Sequence, residues 1–335
     1  MDWDKGYSAS YYATIVDPIT WADGERIEIT GGSIKHTDDE LLESADVDIV
    51  DYRLEREQWI RVWLDTRQDD GGIGHTPLFT GVASTPSRTY EGTLLTGSIQ
   101  CYSVLKIAQD MLLERGWYAP VDIPGATIIK ELLSPTGILL NFRDSETRLQ
   151  TSVLAENGEN RLTMAWKIAK TLGWTIQVLG NGTVIVGPYS TDSKWMFSRT
   201  NYDIVEPSIS IERDWFNCPN VLRAIVGNSV AIARDDDPAS DLSTVSRGRE
   251  IWVEETDITL NDGQSLGTYA FDRLKEYQDA SLTVSYDRRY VPDILVGDII
   301  SLDYPEQELT GNYLITSQTI SLGYNAKTSE EVIKL

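Results

Sequence analysis

The chain has 335 residues, and its 29 Lys and Arg against 52 Asp and Glu give a formal net charge of −23 at pH 7. Nucleic-acid binding proteins need Lys and Arg to displace the counterions of the phosphate backbone, so this acidity excludes that class. With 41% hydrophobic residues and a mean hydropathy of −0.26, the chain is expected to fold into a soluble protein of two or three domains.

The cysteines and the termini exclude several classes of protein. Cys101 and Cys218 are far apart in sequence and neither lies in a CxxC pair, so no disulfide framework or cysteine-rich zinc site is expected. Synthesis inside a cell is the natural interpretation. No segment has the pattern of a signal peptide or the ~20 apolar residues of a membrane span, so we expect neither secretion by a signal peptide nor a membrane anchor.

Apolar residues alternate with polar ones through most of the first hundred residues, which is typical of strands with one buried face. Gly31 and Gly32 are expected to end the second of these strands. The predicted strands are 7–16, 26–30, 58–64 and 78–83. Residues 1–100 are therefore predicted to form an antiparallel β-domain.

Residues 101–190 change to a helical period and are predicted to form an α/β domain. A helix is predicted from Val104 to Leu112, with Ser103 as its N-cap and Gly116 after its end. The Asn-Gly step at 181–182 predicts a tight hairpin whose turn residues have positive φ. The other predicted elements are helices 126–133 and 162–169, the latter ended by Gly173, and strands 174–178 and 183–186.

Residues 191–335 are predicted to form a second β-domain with one helix, whose apolar face contains Leu266, Tyr269, Ala270 and Leu274. The polar stretch 233–249 is predicted to be an exposed loop. The predicted strands are 209–211, 221–226, 251–253, 282–286, 298–302 and 313–322. The fold class is therefore α+β, mainly β.

Few residues could carry catalysis. His36 and His75 are isolated and lie in no HExxH motif, so both are expected to be ordinary surface or turn histidines. Cys101 would begin a helical segment, where the helix dipole would lower its pKa, but no base can be assigned to it. No GxSxG motif is present. We expect no enzyme activity of this chain.

Dense acidic clusters are the other candidate sites. No calcium-binding loop is expected: the acidic segment 65–71 misplaces the glycine and has Arg67 where a ligand should be, and no Glu follows the 235–241 cluster at the proper spacing. Solvated loops are the default interpretation. Gly71–Gly74 lacks the lysine of a phosphate-binding loop, and neither a cofactor nor a metal is expected. The acidic residues in question are Asp38, Asp39, Glu40, Asp235, Asp236, Asp237 and Asp241.

Several short motifs resemble phage tail and baseplate hub proteins, the group that includes the late control protein D family. They are the C-terminal segments 295–302, 311–317 and 320–322 after the helix with Ala270 and Leu274, the middle segments 166–169 and 172–174, and Phe79–Val82. The resemblance implies two β-domains like tail-tube subunits with an α/β insertion between them. It also implies a homotrimer that joins a sixfold tail tube to a threefold spike or fibre and contacts distal tail or baseplate proteins. Such a protein is assembled in the host cytoplasm and ends in the virion, at the tail tip.

The negative charge suits a DNA conduit, because an acidic lining repels phosphate. The hypothesis is that the clusters at 38–48 and 235–241 line a lumen through which DNA passes only as cargo. Two alternatives stay open: a tail-associated cell-wall glycosidase with a pair of carboxylates, and a carbohydrate-binding module for host attachment. The ten tryptophans and sixteen tyrosines are explained more simply by core packing or subunit contacts.

Overall fold

The computed structural model describes residues 2–3, 5–53, 56–84, 87–201, 205–256, 258, 260 and 264–335. Strands dominate it, as predicted. None of the helices in these residues combines the length and the apolarity that crossing a membrane requires.

The first strands form a closed ring. The strands of this part are β1 (Ser8–Val16), β2 (Asp23–His36), β3 (Glu43–Val50), β4 (Gln58–Arg67), β5 (Ile73–Ala83), β6 (Ser87–Glu91) and β7 (Leu94–Ser103). The ring consists of all of them except β6, which pairs with β7. Neighbours follow the order β1-β4-β5-β7-β3-β2, and β1 also pairs with β2, which closes the ring. Its interior is an apolar cluster that includes Ile34, Val47, Ile60, Phe79 and Ile99. The strands predicted in this part of the sequence are confirmed.

The predicted end of the second strand at Gly31 and Gly32 is wrong, because β2 continues to His36. The pairing with β3 shifts register between Ile29 and Gly31, which is a β-bulge. Gly32 has φ 130°, and a Cβ there would lie 2.1 Å from the carbonyl oxygen of Asp46. The two glycines therefore bend the strand and let it continue.

The middle of the chain alternates short strands with helices. Its elements are α1 (Lys106–Asp110), β8 (Tyr118–Ala119), α2 (Gly125–Leu133), β9 (Leu140–Phe142), β10 (Val153–Leu154), α3 (Arg161–Thr171), β11 (Trp174–Val178) and β12 (Val184–Pro188). The predicted second and third helices are confirmed as α2 and α3. They pack with β11 and β12 around a separate apolar cluster that includes Ile129, Leu132, Ile168, Trp174 and Val184.

Two local predictions in this part are wrong. The helix predicted over 104–112 is confined to α1, because β7 extends to Ser103, a turn occupies 104–105 and the backbone is extended again at Met111. Cys101 is consequently in a strand and not at a helix start. At 180–182 the hairpin loop has three residues, and only Gly182, with φ 83°, is left-handed. This is the pattern of a turn followed by a glycine bulge.

The last part contains β13 (Ser193–Ser198), β14 (Val205–Arg213), β15 (Val221–Val226), β16 (Ser229–Arg234), α4 (Thr244–Arg247), β17 (Trp252–Glu255), α5 (Leu266–Ala280), β18 (Leu282–Arg288), β19 (Ile299–Tyr304), β20 (Leu309–Leu322) and β21 (Thr328–Lys334). The predicted strands and the helix α5 are confirmed. The predicted exposed loop 233–249 begins inside β16 and contains α4. Strands β15 to β17 form a small sheet that packs on α5 through Leu222, Ala224 and Leu274.

Six of these strands repeat the order of the first ring. Their neighbours follow β13-β19-β20-β21-β18-β14. We number the six strands of each set from 1 to 6 in chain order, leaving out β6 in the first set. In both sets the order of neighbouring strands is then 1-4-5-6-3-2. The sets differ in that β13 and β19 are parallel, and no pairing of β13 with β14 occurs among the described residues. The second set encloses its own apolar cluster, which includes Phe197, Val284, Ile300 and Tyr313.

A single strand pair joins the two sets. Gly32 to His36 of β2 run antiparallel to Gln318 to Leu322 of β20. This seam produces one antiparallel sheet of eight strands in the order β6-β7-β3-β2-β20-β21-β18-β14. Each half of the sheet covers one of the two apolar clusters.

Candidate functional site

The eight-stranded sheet has one apolar face and one polar face. In β3, Ala45, Val47 and Ile49 are buried, whereas Asp46 and Asp48 point to the opposite side and are exposed. The strand register extends this alternation across the sheet. Small hydroxyl residues are frequent on the polar face, among them Ser33, Ser44, Ser210, Ser285, Thr319 and Ser321.

The polar face is mainly negative. Its described charged residues are Asp46, Asp48, Glu212, Asp287 and Glu331, with Lys35 as their cationic counterpart. Asp287 is bound by Lys327, from the turn before β21, and accepts a hydrogen bond from Ser329 Oγ at 2.6 Å. An open cleft of about 410 Å³ crosses the strands here, lined by residues that include Ser210, Ser285, Asp287, Ser317 and Glu331. The face therefore presents short polar side chains with a negative balance.

A buried ion pair supports this wall from its apolar side. Arg288 Nη2 donates to Glu330 Oε1 at 2.5 Å, and both side chains are fully buried. Glu330 also accepts hydrogen bonds from Gln318 Nε2 at 2.7 Å and from the hydroxyl of Tyr286 at 2.8 Å. These residues come from β18, β20 and β21, so the network ties three adjacent strands together.

The predicted acidic cluster Asp38, Asp39 and Glu40 lies in the turn between β2 and β3. Asp39 Oδ1 accepts hydrogen bonds from the backbone N–H of Leu41 and of Leu42, both at 3.0 Å. The backbone oxygen of Glu40 accepts from Trp166 Nε1 at 3.0 Å. Asp39 thus stabilises the turn, and the turn is held against α3 of the middle part.

The second predicted cluster lies in the loop after β16, against α5. Asp235 Oδ2 accepts from Ser240 Oγ at 2.7 Å and from Gln278 Nε2 at 3.0 Å. Asp236 binds Thr244, and Asp237 Oδ1 accepts from the backbone of Ala239 at 2.9 Å. Asp241 is exposed in the same loop. Three of these acids therefore hold the loop in shape, and they belong to a different part of the molecule from the turn at 38–40.

The two histidines have different surroundings. The prediction for His75 is confirmed: its exposed ring stacks on Trp63 at 4.1 Å and its Nδ1 lies 2.5 Å from Asp65 Oδ1. The prediction for His36 is wrong, since it is buried at the end of β2, with Nδ1 3.5 Å from Glu43 Oε2. Burial lowers the pKa of His36 to about 4 and raises that of Glu43 well above its ordinary value. Burial therefore favours the uncharged form of both side chains.

The predicted low pKa of Cys101 is also wrong. Its thiol is fully buried in β7, and this burial raises its pKa. Cys218 is buried as well, and its pKa is also raised by burial. Among the described residues, no group of three or more His, Cys, Asp or Glu side chains is arranged to hold a metal ion.

A polar cluster joins the middle part to the second strand set. Gln177 Nε2 on β11 donates to Val296 O at 2.9 Å and to Asp298 Oδ1 at 3.1 Å. Asp298 is buried and also binds Lys194 Nζ at 2.8 Å. On the other side of the middle part, Thr80 Oγ1 donates to Gly180 O at 2.7 Å. The middle part is therefore fixed to both strand sets.

Comparison with protein-family models and with curated protein sequences gives no match. The 43 kDa tail protein of prophage MuSo2 from Shewanella oneidensis is similar in structure, with a TM-score of 0.70, 14% identity and 98% of each chain covered. A tail protein from Neisseria meningitidis MC58 aligns with a TM-score of 0.68 and 15% identity over 97% of each chain. Prophage tail protein gp18 from Listeria monocytogenes EGD-e gives 0.55 and 11%, over 96% of this chain and 94% of that one.

The chain has the fold of phage tail proteins. The resemblance deduced from short sequence motifs is thereby confirmed at the level of the fold. The polar face of the joined sheet is the largest feature of this tail-protein fold that was not predicted from the sequence. Asp46 and Asp48 lie within the acidic stretch that the sequence singled out, but Glu212, Asp287 and Glu331 do not. Strand alternation around 283–287 was the available signal for Asp287.

Proposed function

We propose that the protein is the structural hub of a phage tail tip or baseplate, a homotrimeric adaptor between the sixfold tail tube and a threefold central spike or fibre. The observation that carries this proposal is the repeated strand order, 1-4-5-6-3-2, within one chain. Two equivalent units in each of three copies give six units around one axis. A chain with such a repeat matches sixfold symmetry on one side and threefold symmetry on the other.

The ends of the joined sheet support ring closure. Beyond β6 at one end and β14 at the other, no further strand is paired among the described residues, and unpaired strand edges are templates for pairing with another chain. The sheet has an even number of strands and is antiparallel throughout. The β14 strand of one copy is therefore antiparallel to the β6 strand of the next when copies are arranged side by side.

The seam inside the chain is a model for the seam between copies. Strand β2, second in its set, pairs with β20, fifth in the other set. The fifth strand of the first set is β5, and β6 continues it, because both pair with β7 and Ser84 N donates to Gln100 O between them. The equivalent of β2 is β14. The same contact repeated between copies therefore joins β14 to β6.

Three copies joined in this way form a barrel of 24 strands. At ~4.8 Å between strands, its circumference is about 115 Å and its diameter about 37 Å between strand centres. Strand tilt widens it further. The polar face would line the bore, with Asp46, Asp48, Glu212 and Glu331 facing DNA in transit. An acidic wall of short side chains repels phosphate and offers few groups for adhesion. We place the clusters at 38–40 and 235–241 at the rims rather than along the bore.

We further propose three structural units, 1–100, 101–190 and 191–335, which the separate apolar clusters support. The two outer units would be the tube-like domains, and the middle unit would brace them from outside the bore. The tail tube, distal tail or baseplate proteins and the spike or fibre would bind the ends of the ring. The location would be the virion tail tip, after assembly in the host cytoplasm. No bond-breaking step is assigned to the chain, since its buried His36 and Cys101 are shielded from any substrate.

Light scattering during size-exclusion chromatography of the full chain tests the trimer, over a range of concentrations. Cysteine replacements on the two edge strands test the seam: Ser210→Cys on β14 and Thr89→Cys on β6 should give disulfide-linked trimers when both are in one chain. The matched control is Ser210→Cys with Thr14→Cys, since β1 is paired on both sides, with β2 and β4, and is not an edge strand. A chain that stays monomeric at every concentration, or a trimer without the β14–β6 link, would contradict the proposal.

A further inference from the structure

Two exposed aromatic residues follow directly after the edge strand β14. Trp215 and Phe216 are 48% and 72% exposed. Their backbone is nevertheless fixed: Asp214 Oδ1 accepts from Phe216 N at 3.0 Å, and Arg249 Nη2 donates to Phe216 O at 2.8 Å. Arg247 binds Trp215 O and, at 2.7 Å, Cys218 O. The two rings are thus held out in a single backbone conformation, which lowers the entropic cost of docking them.

An apolar cleft lies beside the opposite edge of the sheet. It has a volume of about 390 Å³ and is lined by Trp59, Val82, Tyr102, Ile107 and Met111, among others. Ala83, at the end of β5, and Ser84 form its border, and β6 begins at Ser87. The cleft is therefore next to the N-terminal end of β6.

Strand direction brings these two features together. Because β14 is antiparallel to β6 of the next copy, its C-terminal end lies at the N-terminal end of that β6. The seam inside the chain shows what the following turn does: after β2, His36, Thr37 and Leu42 border a small cavity with Leu295 and Val296, which precede β19. The strand equivalent to β19 is β4. The turn after β14 therefore falls near the start of β4, where Gln58 and Trp59 lie.

The charges around the two features are complementary. Arg213, Arg247 and Arg249 surround the aromatic pair, and the guanidinium of Arg249 lies 4.7 Å from the ring of Phe216. The Nε of Arg213 is buried without a hydrogen-bond partner. Glu57, Lys106 and Asp110 stand at the cleft, and Lys106 Nζ binds Asp110 Oδ1 at 2.5 Å, so Glu57 is the carboxylate there that faces the arginines in this arrangement. Aromatic side chains with arginine next to them are the residues that most often dominate binding energy at protein interfaces.

We propose that Trp215 and Phe216 of one copy dock into the cleft between Trp59 and Met111 of the next copy. The inference rests on the proposed trimer and names the contact that locks its seam. The strand pairing of β14 with β6 sets the register, and the aromatic pair supplies most of the buried apolar area beside it. Because the contact joins different surfaces, each copy uses its aromatic pair on one neighbour and its cleft on the other.

A photo-crosslinking experiment tests the contact directly. Phe216→p-benzoylphenylalanine in the full chain is mixed with a ¹⁵N-labelled chain without the probe, irradiated and digested. We expect crosslinked peptides that join position 216 of the unlabelled chain to 57–59, 82–84 or 102–111 of the labelled chain. The matched control carries the probe at Phe271, which is 63% exposed on α5, and should give no crosslink to the cleft.

Assembly of the variants separates this inference from the proposed function. Trp215→Ala with Phe216→Ala should weaken trimer formation by more than about 100-fold, as expected for removal of two interface anchors, whereas Phe271→Ala should change it by less than about twofold. A wild-type trimer with normal β14–β6 linkage but no crosslink to the cleft, or with unchanged assembly of the double variant, would overturn only the aromatic contact. A chain that never forms a trimer would overturn both proposals.

Discussion

Removing the carboxylate of Glu330 should destabilise the part of the joined sheet formed by β18, β20 and β21. In Glu330→Ala, the fully buried Arg288 loses its counter-ion, and Gln318 and Tyr286 lose an acceptor. Breaking one side of a buried ion pair costs about 3–5 kcal/mol, because an uncompensated charge stays in the interior. This cost falls on β18, β20 and β21, the strands that the network joins.

Hydrogen exchange measured by mass spectrometry is the suitable assay, since a chain of several units does not unfold in two states. Amides in peptides covering 282–288, 309–322 and 328–334 should exchange faster by about 10²- to 10³-fold, at 1.4 kcal/mol per factor of ten. The control is Glu331→Ala, because Glu331 is the next residue along β21 and points to the solvent. It should change stability by less than about 0.5 kcal/mol.

A paired replacement tests the reason for the effect. Arg288→Met with Glu330→Leu removes both charges and keeps the volume, so it should restore slow exchange, as uncharged replacements of buried pairs often do. If Glu330→Ala accelerates exchange by less than about fivefold, the ion pair contributes little. If the double variant is as open as the single one, lost packing and not the stranded charge of Arg288 is responsible. Either result would refute the reasoning.

Three further predictions concern the junctions and the bore. In Glu43→Gln, the free energy of unfolding should fall as pH drops from 6.5 to about 4, by up to about 1.4 kcal/mol per pH unit, because only the unfolded chain protonates His36. In the wild type the raised pKa of Glu43 should oppose this dependence above pH 4.5, because there the unfolded chain loses a proton that the folded chain keeps. Urea titrations of both proteins measure the two dependences, and parallel curves would contradict the prediction. Gly180→Ala should destabilise the hairpin of β11 and β12 by about 1–3 kcal/mol, since its Cβ would lie 2.0 Å from Pro77 O. The control, Gly267→Ala on α5, should be neutral or stabilising. Amide exchange in 174–188 should be faster in Gly180→Ala, and equal exchange in both variants would count against the prediction. If the proposed trimer and bore exist, Asp46→Lys with Asp48→Lys should make the protein bind short duplex DNA with an affinity that falls steeply between 50 and 200 mM salt. Fluorescence anisotropy measures the affinity, with Asp236→Lys plus Asp237→Lys as the control, and equal binding by both variants would contradict a bore lined by Asp46 and Asp48.

The sequence predicted the strands whose buried positions are apolar. In β4, Ile60, Val62 and Leu64 alternate with side chains on the other face, and the strand was found where predicted. In β21 the inward positions are Thr328, Glu330 and Val332. A buried carboxylate with its arginine on another strand does not produce an apolar alternation, so β21 could not be recognised.

The helix predicted over 104–112 shows the reverse error. Val104, Leu105 and Ala108 are all buried, so their spacing fits an amphipathic helix. Most of that burial comes from the core of the middle part and not from a helical face. Local periodicity cannot distinguish the two, because it records which residues are buried and not which element buries them.

The polar face could not be assembled from sequence, because its two halves meet through β2 and β20, far apart in the chain. Alternation predicts that Asp46 and Asp48 face solvent, but not that Ser33 and Ser321 are neighbours. The repeat was equally hidden. The two sets share strand order and not a sequence pattern, and the segment from β15 to α5 interrupts the second set.

The seam between β2 and β20 also sets the order in which a newly made chain can finish folding. The first ring can close once residues up to Ser103 have been synthesised. One edge of Gly32 to His36, however, stays unpaired until Gln318 to Leu322 have been synthesised. The N-terminal part of the chain leaves the ribosome first during synthesis. Throughout most of synthesis, therefore, each nascent chain carries an unsatisfied strand edge, and on a crowded polysome this edge is open to the late-arriving β20 of a neighbouring chain. Strand exchange between nascent chains is therefore the misfolding route that this seam creates.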